Sequence, residues 1–227
     1  EHCRYRRSHF AERPFRAQGP SAGGRPTYAG PVTVFDPADE QHTTPRARTA
    51  AFFDLDKTII AKSSTLAFSK PFFNQGLLNR RAVLKSSYAQ FIYLLSGADH
   101  DQMDRMRSYV TAMCAGWDIE QVRAIVTETL HDIVDPLVFA EAAELIADHR
   151  LCGRDVVIVS ASGEEIVAPI ARALGATHAM GTRMVTEDGK YTGDVAFYCY
   201  GEAKAAAIRE LAALEGYPLE HCYAYSD

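Results

Sequence analysis

Three short apolar runs, each stopping abruptly at polar chemistry, punctuate a chain that otherwise reads mostly as helix. Ala50, Ala51, Phe52 and Phe53 run into Asp54-Leu55-Asp56, the stretch DVVIVS at 155–160 ends in Ser160, and Cys222 to Tyr225 ends in Ser226-Asp227. Continuous apolar runs of this length predict strands buried on both faces of a parallel sheet. Between the first and second runs the period changes. Leu84, Tyr88, Phe91, Ile92 and Leu95 recur at three- and four-residue spacing, as do Val122, Ile125, Val126 and Thr129, which predicts helices. Asp118 with Gln121 makes a capping-box pattern and Gly116 can end the helix before it. A further helix is predicted over 136–149, with Leu137, Ala140, Ala143 and Ile146 along one face. Beyond Ser160, a second capping box at Ser162 and Glu165 predicts a helix to Gly175 with Pro169 inside it. A hairpin follows over 182–197, turning at Glu187-Asp188-Gly189-Lys190, then a helix over 202–215 and the last strand.

This order predicts an α/β protein: a Rossmann-like parallel sheet core from residues 49–61 and 151–227, interrupted by an all-helical cap over 62–150. Phe72, Phe73, Phe91 and Tyr93 read as cap core. Arg80, Arg81 and Lys85 read as a solvated helix face. Residues 1–48 hold six of the ten prolines with four glycines between them, too little apolar surface to offset the entropy of ordering, and are expected to form a disordered leader. Val32, Val34 and Phe35 give a weak strand signal within it.

Composition narrows the function. At 227 residues and 47% hydrophobic content the chain can bury one sizeable core with an inserted smaller one. The net charge of -5 is unevenly spread: residues 1–48 carry eight arginines against five acids, and the remainder carries sixteen basic against twenty-four acidic residues. An acidic globular part repels a phosphate polymer, so no nucleic-acid partner is expected. Five dispersed cysteines without a C-x-x-C pair fit neither a disulfide framework nor a zinc site, and agree with a cytoplasmic setting. No apolar run approaches ~18 residues, so no membrane span is expected within these residues and they indicate no membrane contact, membrane association through a further C-terminal segment staying open. Nothing in the pattern specifies an oligomeric state.

Chemistry concentrates at the three strand ends. Asp54 and Asp56 emerge together where the first apolar run stops, at the edge where open α/β sheets bind ligands. Two carboxylates so close repel unless a cation lies between them or one carries a proton, which points to a divalent metal and acid/base work. If the strands are parallel neighbours, Ser160 and Asp227 converge on the same place, and Lys204, near the start of the preceding helix, supplies positive charge. Lys57 and Lys62 are as readily solvated as substrate-facing. Ser162 reads as a helix cap, and the eight histidines, without shared spacing, as structural or surface groups.

The ordered set DLDKT at 54–58, VSAS at 159–162, Lys204 in GEAKAAAI and YSD at 225–227 resembles the haloacid dehalogenase superfamily, in particular its subfamily IB of phosphoserine-phosphatase-like hydrolases. The resemblance implies a phosphomonoester hydrolase in which Asp54 is the nucleophile and forms an aspartyl-phosphate, Asp56 is the general acid and base, and Lys204 neutralises the transferring group. It implies Mg2+ held by Asp54, the backbone carbonyl of Asp56 and Asp227, with Thr58, Ser160 and Ala161 contacting the phosphate. The implied partner is a small phosphorylated metabolite, phosphoserine-like or a lysophospholipid- or sugar-type phosphate. Phosphoserine phosphatases of this kind carry a Glu nine residues after the nucleophile, where this chain has Ser63, which argues against phosphoserine itself. Family members also continue past YSD with a further acidic residue, so this chain is expected to be part of a longer one. A phosphotransferase or mutase using the same intermediate, and a non-catalytic binding module, are the alternatives.

Overall fold

The computed structural model describes residues 33–34, 48–78, 108 and 110–227. The predicted helical set at 84–95, the cations at 80, 81 and 85, and nearly all of the leader lie outside the described residues.

Six strands make one sheet: β1 (Thr33–Val34), β2 (Ala50–Phe53), β3 (Asp155–Gly163), β4 (His178–Glu187), β5 (Lys190–Phe197) and β6 (Tyr223–Tyr225). Their order is β1-β4-β3-β2-β6, with β5 added to β4. Strands β4, β3, β2 and β6 run parallel, while β1 and β5 pair with β4 antiparallel. Helices among the described residues include α1 (Ser64–Ala67), α2 (Ser69–Asn74), α3 (Ile119–Val134), α4 (Ala140–Leu151), α5 (Glu164–Ala173) and α6 (Gly201–Glu215).

Alternation along the buried strands divides the core into two layers. Ala51, Phe53, Val156 and Ile158 face one side, packing with Leu145 and Ile146 of α4 and with Ile166, Val167 and Ile170 of α5. Ala50, Phe52, Val157, Val159 and Met180 face the other, against Ala207, Leu211 and Ala212 of α6. Every residue of β2 is buried, which is why that strand reads as an unbroken apolar run rather than an alternating one. Gly181 marks where the start of α5 meets β4: a Cβ there would lie 2.7 Å from the Glu164 Cα.

Three differences from the sequence reading have physical causes. The hairpin has the expected turn, with Asp188 and Gly189 both at positive φ, the backbone a two-residue hairpin loop favours. Its first strand begins earlier, at His178, and adds a fourth parallel member to the sheet. The segment His178-Ala179-Met180-Gly181 is buried throughout, yet its small and polar residues give no apolar run.

The helix expected over 136–149 is instead a 3-10 turn at Asp135–Leu137 followed by α4. Its buried face is Ala142, Leu145, Ile146 and His149, and it packs on the sheet: His149 stacks edge-on to Phe53 and lies 2.9 Å from the Tyr225 hydroxyl through Nε2. Arg154 donates to the other ring nitrogen, Nδ1, at 3.4 Å, so Nε2 carries the proton and donates to Tyr225.

At the predicted caps the outcomes differ. Asp118 accepts from the Gln121 N–H at 3.0 Å and caps α3. Ser162 does not cap α5. Strand β3 continues through Gly163, which is the N-cap without a side-chain bond. Within the leader, Thr33 and Val34 pair with Ala179 and His178.

Candidate active site

The end of β2 is held open by its neighbours. Phe53 pairs with Ile158 of β3 on one side and Tyr225 of β6 on the other, and the Asp54 N–H still donates to the Tyr225 carbonyl at 2.9 Å. Beyond that the chain leaves the sheet in a tight turn. Ile59 and Ile60 N–H groups both donate to the Leu55 carbonyl, and Lys57 adopts φ 63°, a left-handed conformation that costs a non-glycine residue ~1 kcal/mol or more. Leu55, Ile59 and Ile60 are fully buried. The turn thus anchors its apolar members inward while Asp54 and Asp56 stay partly accessible.

Each expected site residue can be placed. Lys204, in the first turn of α6, donates from Nζ to Asp54 Oδ1 at 2.7 Å, with both side chains mostly buried. Among the described residues, the other oxygen of Asp54 has no hydrogen-bond partner. Thr58 is buried and its Oγ1 accepts from the Asp227 N–H at 3.0 Å, tying the turn after β2 to the end of β6. Asp227 itself is exposed. Ser160 is buried, and its Oγ accepts from the Ser162 N–H at 3.1 Å. Ala161 is exposed at the strand tip, its carbonyl accepting from Thr182 Oγ1 at 2.6 Å. Asp54, Asp56, Thr58, Ser160, Ala161, Lys204 and Asp227 therefore gather at the carboxyl ends of β2, β3 and β6, the end where open α/β sheets place their ligands.

Three hydroxyls complete the surroundings of Asp56. Its Oδ1 accepts from the Ser64 N–H at 2.9 Å and its Oδ2 from Ser162 Oγ at 3.1 Å. Ser64 Oγ donates to Ser162 Oγ at 2.7 Å, and Thr65 Oγ1 lies 3.2 Å from the same atom. Ser64 and Thr65 carry no signal in the sequence beyond a polar run, Ser63-Ser64-Thr65, just after the buried isoleucines. Ser63, at the position of the expected Glu, is the N-cap of α1 and makes no side-chain cap bond.

Burial argues against Cys199 as a nucleophile. Cys199 lies near Lys204 and Asp54, but loss of solvation pushes its thiol up to about 12, so it stays protonated and inert.

For a cation the donor set is all oxygen: Asp54 and Asp227 stand at the ends of adjacent strands, and no group of three or more His, Cys, Asp or Glu side chains converges among the described residues. Two carboxylates without nitrogen or sulfur form the sparse set that suits Mg2+, a hard ion that keeps several waters.

The family model of the haloacid dehalogenase-like hydrolases matches residues 51–227, the whole stretch that builds this arrangement. The chain belongs to that family. It is 87% identical over 185 residues to a probable phosphatase of Mycobacterium tuberculosis, covering 82% of this chain and 64% of the relative. It is 62% identical over 189 residues to the inhibition of morphological differentiation protein of Streptomyces azureus, covering 83% and 68%. The chain thus spans about two thirds of the length of these relatives. Among solved structures, a phosphoserine phosphatase in its apo form superposes with a TM-score of 0.56 at 21% identity, covering 79% of this chain and 78% of that one. The fold is shared with that protein: an α/β sheet core with an inserted helical cap.

Proposed function

We propose that the protein is a Mg2+-dependent phosphomonoesterase acting on a small phosphorylated metabolite through an aspartyl-phosphate at Asp54. The observation that carries the reading is the Lys204–Asp54 contact at the end of β2, with Asp56 two residues on and held by neutral donors rather than by a cation.

In the first step a carboxylate oxygen of Asp54 attacks phosphorus and the bond to the ester oxygen breaks, the departing oxygen taking a proton from Asp56. In the second step Asp56 takes a proton from water as that water attacks phosphorus, the bond to Asp54 breaks, and inorganic phosphate leaves. Lys204 sits where negative charge accumulates between Asp54 and the phosphoryl group, the main demand of phosphoryl transfer on a protein. Ser160 and the backbone at Ala161 would contact the phosphate oxygens. Asp54, Asp227 and the Asp56 carbonyl would hold Mg2+, which when bound neutralises phosphate charge and orients the group for in-line attack. Ser63 brings no charge to the start of the cap, so a substrate without an ammonium group, such as a lysophospholipid- or sugar-type phosphate, suits it better than phosphoserine.

The test is Mg2+-dependent phosphate release from an aryl phosphate by the full-length protein and its Asp54→Asn variant. Turnover by the parent and a loss of at least about a thousandfold in the variant are expected. Release unaffected by the substitution would sink the assignment. Transfer of the phosphoryl group to an added alcohol in preference to water would turn it into a phosphotransferase.

A further inference from the structure

Asp56 is oriented by two elements far apart in sequence. The Ser64 N–H, at the start of α1, holds one carboxylate oxygen, and Ser162, beyond the irregularity near the end of β3, holds the other. With one donor on each oxygen, both side-chain torsions of Asp56 are fixed.

The sense of these bonds follows from counting protons. A serine hydroxyl has one proton and two lone pairs. Ser162 Oγ has three neighbours: Ser64 Oγ at 2.7 Å, Thr65 Oγ1 at 3.2 Å and Asp56 Oδ2 at 3.1 Å. Ser64 donates to it and it donates to Asp56 Oδ2, so its one proton is spent there and Thr65 is the second donor. The hydroxyl is used to its full capacity. Its backbone is fixed too, because the Ser162 N–H donates to Ser160 Oγ where the pairing of β3 with β4 shifts register between Val159 and Gly163. Ser64 is fully buried and Ser162 nearly so. Neither is needed to cap a helix: α5 is capped by Gly163, and α1 begins after Ser63.

We infer that Ser162, supported by Ser64, is a positioning residue that aims Asp56 at the ester oxygen of the substrate. The inference rests on the reading of Asp56 as the proton donor, and that dependence supplies the measurement. A nitrophenolate departs without a proton, whereas an alkoxide does not, so misaiming Asp56 penalises alkyl esters selectively. A purely structural role for the hydroxyls penalises both esters alike.

The experiment compares kcat/KM for ethyl phosphate and p-nitrophenyl phosphate, each with Mg2+, in the full-length protein and in Ser162→Ala and Ser64→Ala. Ser162→Ala is expected to lose about 10- to 100-fold on the alkyl ester, the scale of a misplaced catalytic group, and less than about threefold on the aryl ester. Ser64→Ala retains the backbone bond to Asp56 and is expected to show the same selectivity at smaller amplitude. Should Ser162→Ala fail to fold, as judged by its thermal transition, the ester ratio in Ser64→Ala decides. Equal losses on the two esters, or no loss on either, overturn the positioning role while leaving the phosphatase reading intact. No Asp54-dependent turnover of either ester by the parent overturns both.

Discussion

The two ends of the sheet carry similar groups and use them differently. At the amino end, Arg48 donates to Asp155 at 3.0 Å and to Glu215 at 2.9 Å, and lies over the ring of Tyr217. Tyr217 donates its one proton to Asp155 at 2.7 Å, so the His178 Nε2 beside it, at 3.2 Å, must be the donor to the tyrosine oxygen. Both acids there meet protein donors, each at one oxygen, Oδ2 of Asp155 and Oε2 of Glu215. At the carboxyl end, Lys204 likewise meets one oxygen of Asp54, but the exposed Asp227 carboxylate on the adjacent strand has no hydrogen-bond partner among the described residues. Charges at a strand end do not by themselves make a site. Acceptor capacity left over at an accessible strand end does, because it must be met by solvent, a cation or a substrate.

Removing Lys204 gives the sharpest break in this contrast. Lys204→Met is expected to lower kcat by about a hundred- to a thousandfold, the range for losing one charge-stabilising donor, with a smaller change in KM. Steady-state kinetics on an aryl phosphate with Mg2+ measure it. A loss confined to KM would make Lys204 a binding group rather than a stabiliser of the transferring phosphoryl group.

The legibility of the two ends differed for a physical reason. Asp54, Asp56, Lys204 and Asp227 stand where apolar runs stop or at a helix start, and such discontinuities show in a one-dimensional pattern. Buried strands likewise announced themselves where they were rich in Val, Ile and Phe. What stayed hidden depends on three-dimensional neighbours. His178-Ala179-Met180-Gly181 enters the sheet with small residues because α5 begins against Gly181. Ser162 satisfied a capping-box pattern locally, yet β3 runs three residues past Ser160 and gives its hydroxyl to Asp56. Its partner Ser64 is 98 residues away, and no local rule links them. The predicted face of the helix before the second strand was displaced because Asp135-Pro136-Leu137 forms a 3-10 turn, which restarts the helical phase.

His149 extends the contrast to pH. It is 2% exposed, and burial, reinforced by the nearby Arg154 guanidinium, lowers it to about 4. Its unfolded value is about 6.5. Above that value the imidazole is neutral in both states and its contribution to stability is complete. As the pH falls below 6.5 the unfolded chain takes up a proton that the folded chain refuses, and the contribution is lost progressively until about pH 4. The full loss is roughly 3 kcal/mol. Subtracting the urea-unfolding free energies of His149→Gln from those of the parent across pH 4–8 should show this slope between 4 and 6.5 and a plateau above. A flat difference would mean that the imidazole accepts its proton in place, with the Tyr225 hydroxyl and Arg154 rearranged around it.

The smallest effect is expected at the amino end of the sheet, and it makes the comparison quantitative. Asp155→Asn keeps an oxygen that can accept from the Tyr217 hydroxyl and removes only the charge facing Arg48. The Arg48 side chain is 55% exposed, so water screens that charge. The expected cost is about 0.5–1 kcal/mol, the value of a screened pair with its hydrogen bond retained, and kcat/KM should stay within about twofold of the parent. Denaturant unfolding and the same aryl phosphate assay measure the two quantities on one preparation. A carboxylate-to-amide change at Asp54 is expected to remove activity, and the same change here to leave it alone, because Asp155 stands at the opposite end of the sheet with its Oδ2 shared by Arg48 and Tyr217. Loss of activity by more than tenfold in Asp155→Asn, with stability little changed, would show instead that the Arg48–Asp155–Tyr217 cluster is coupled through β3 to Ser160 and Ser162 at its other end.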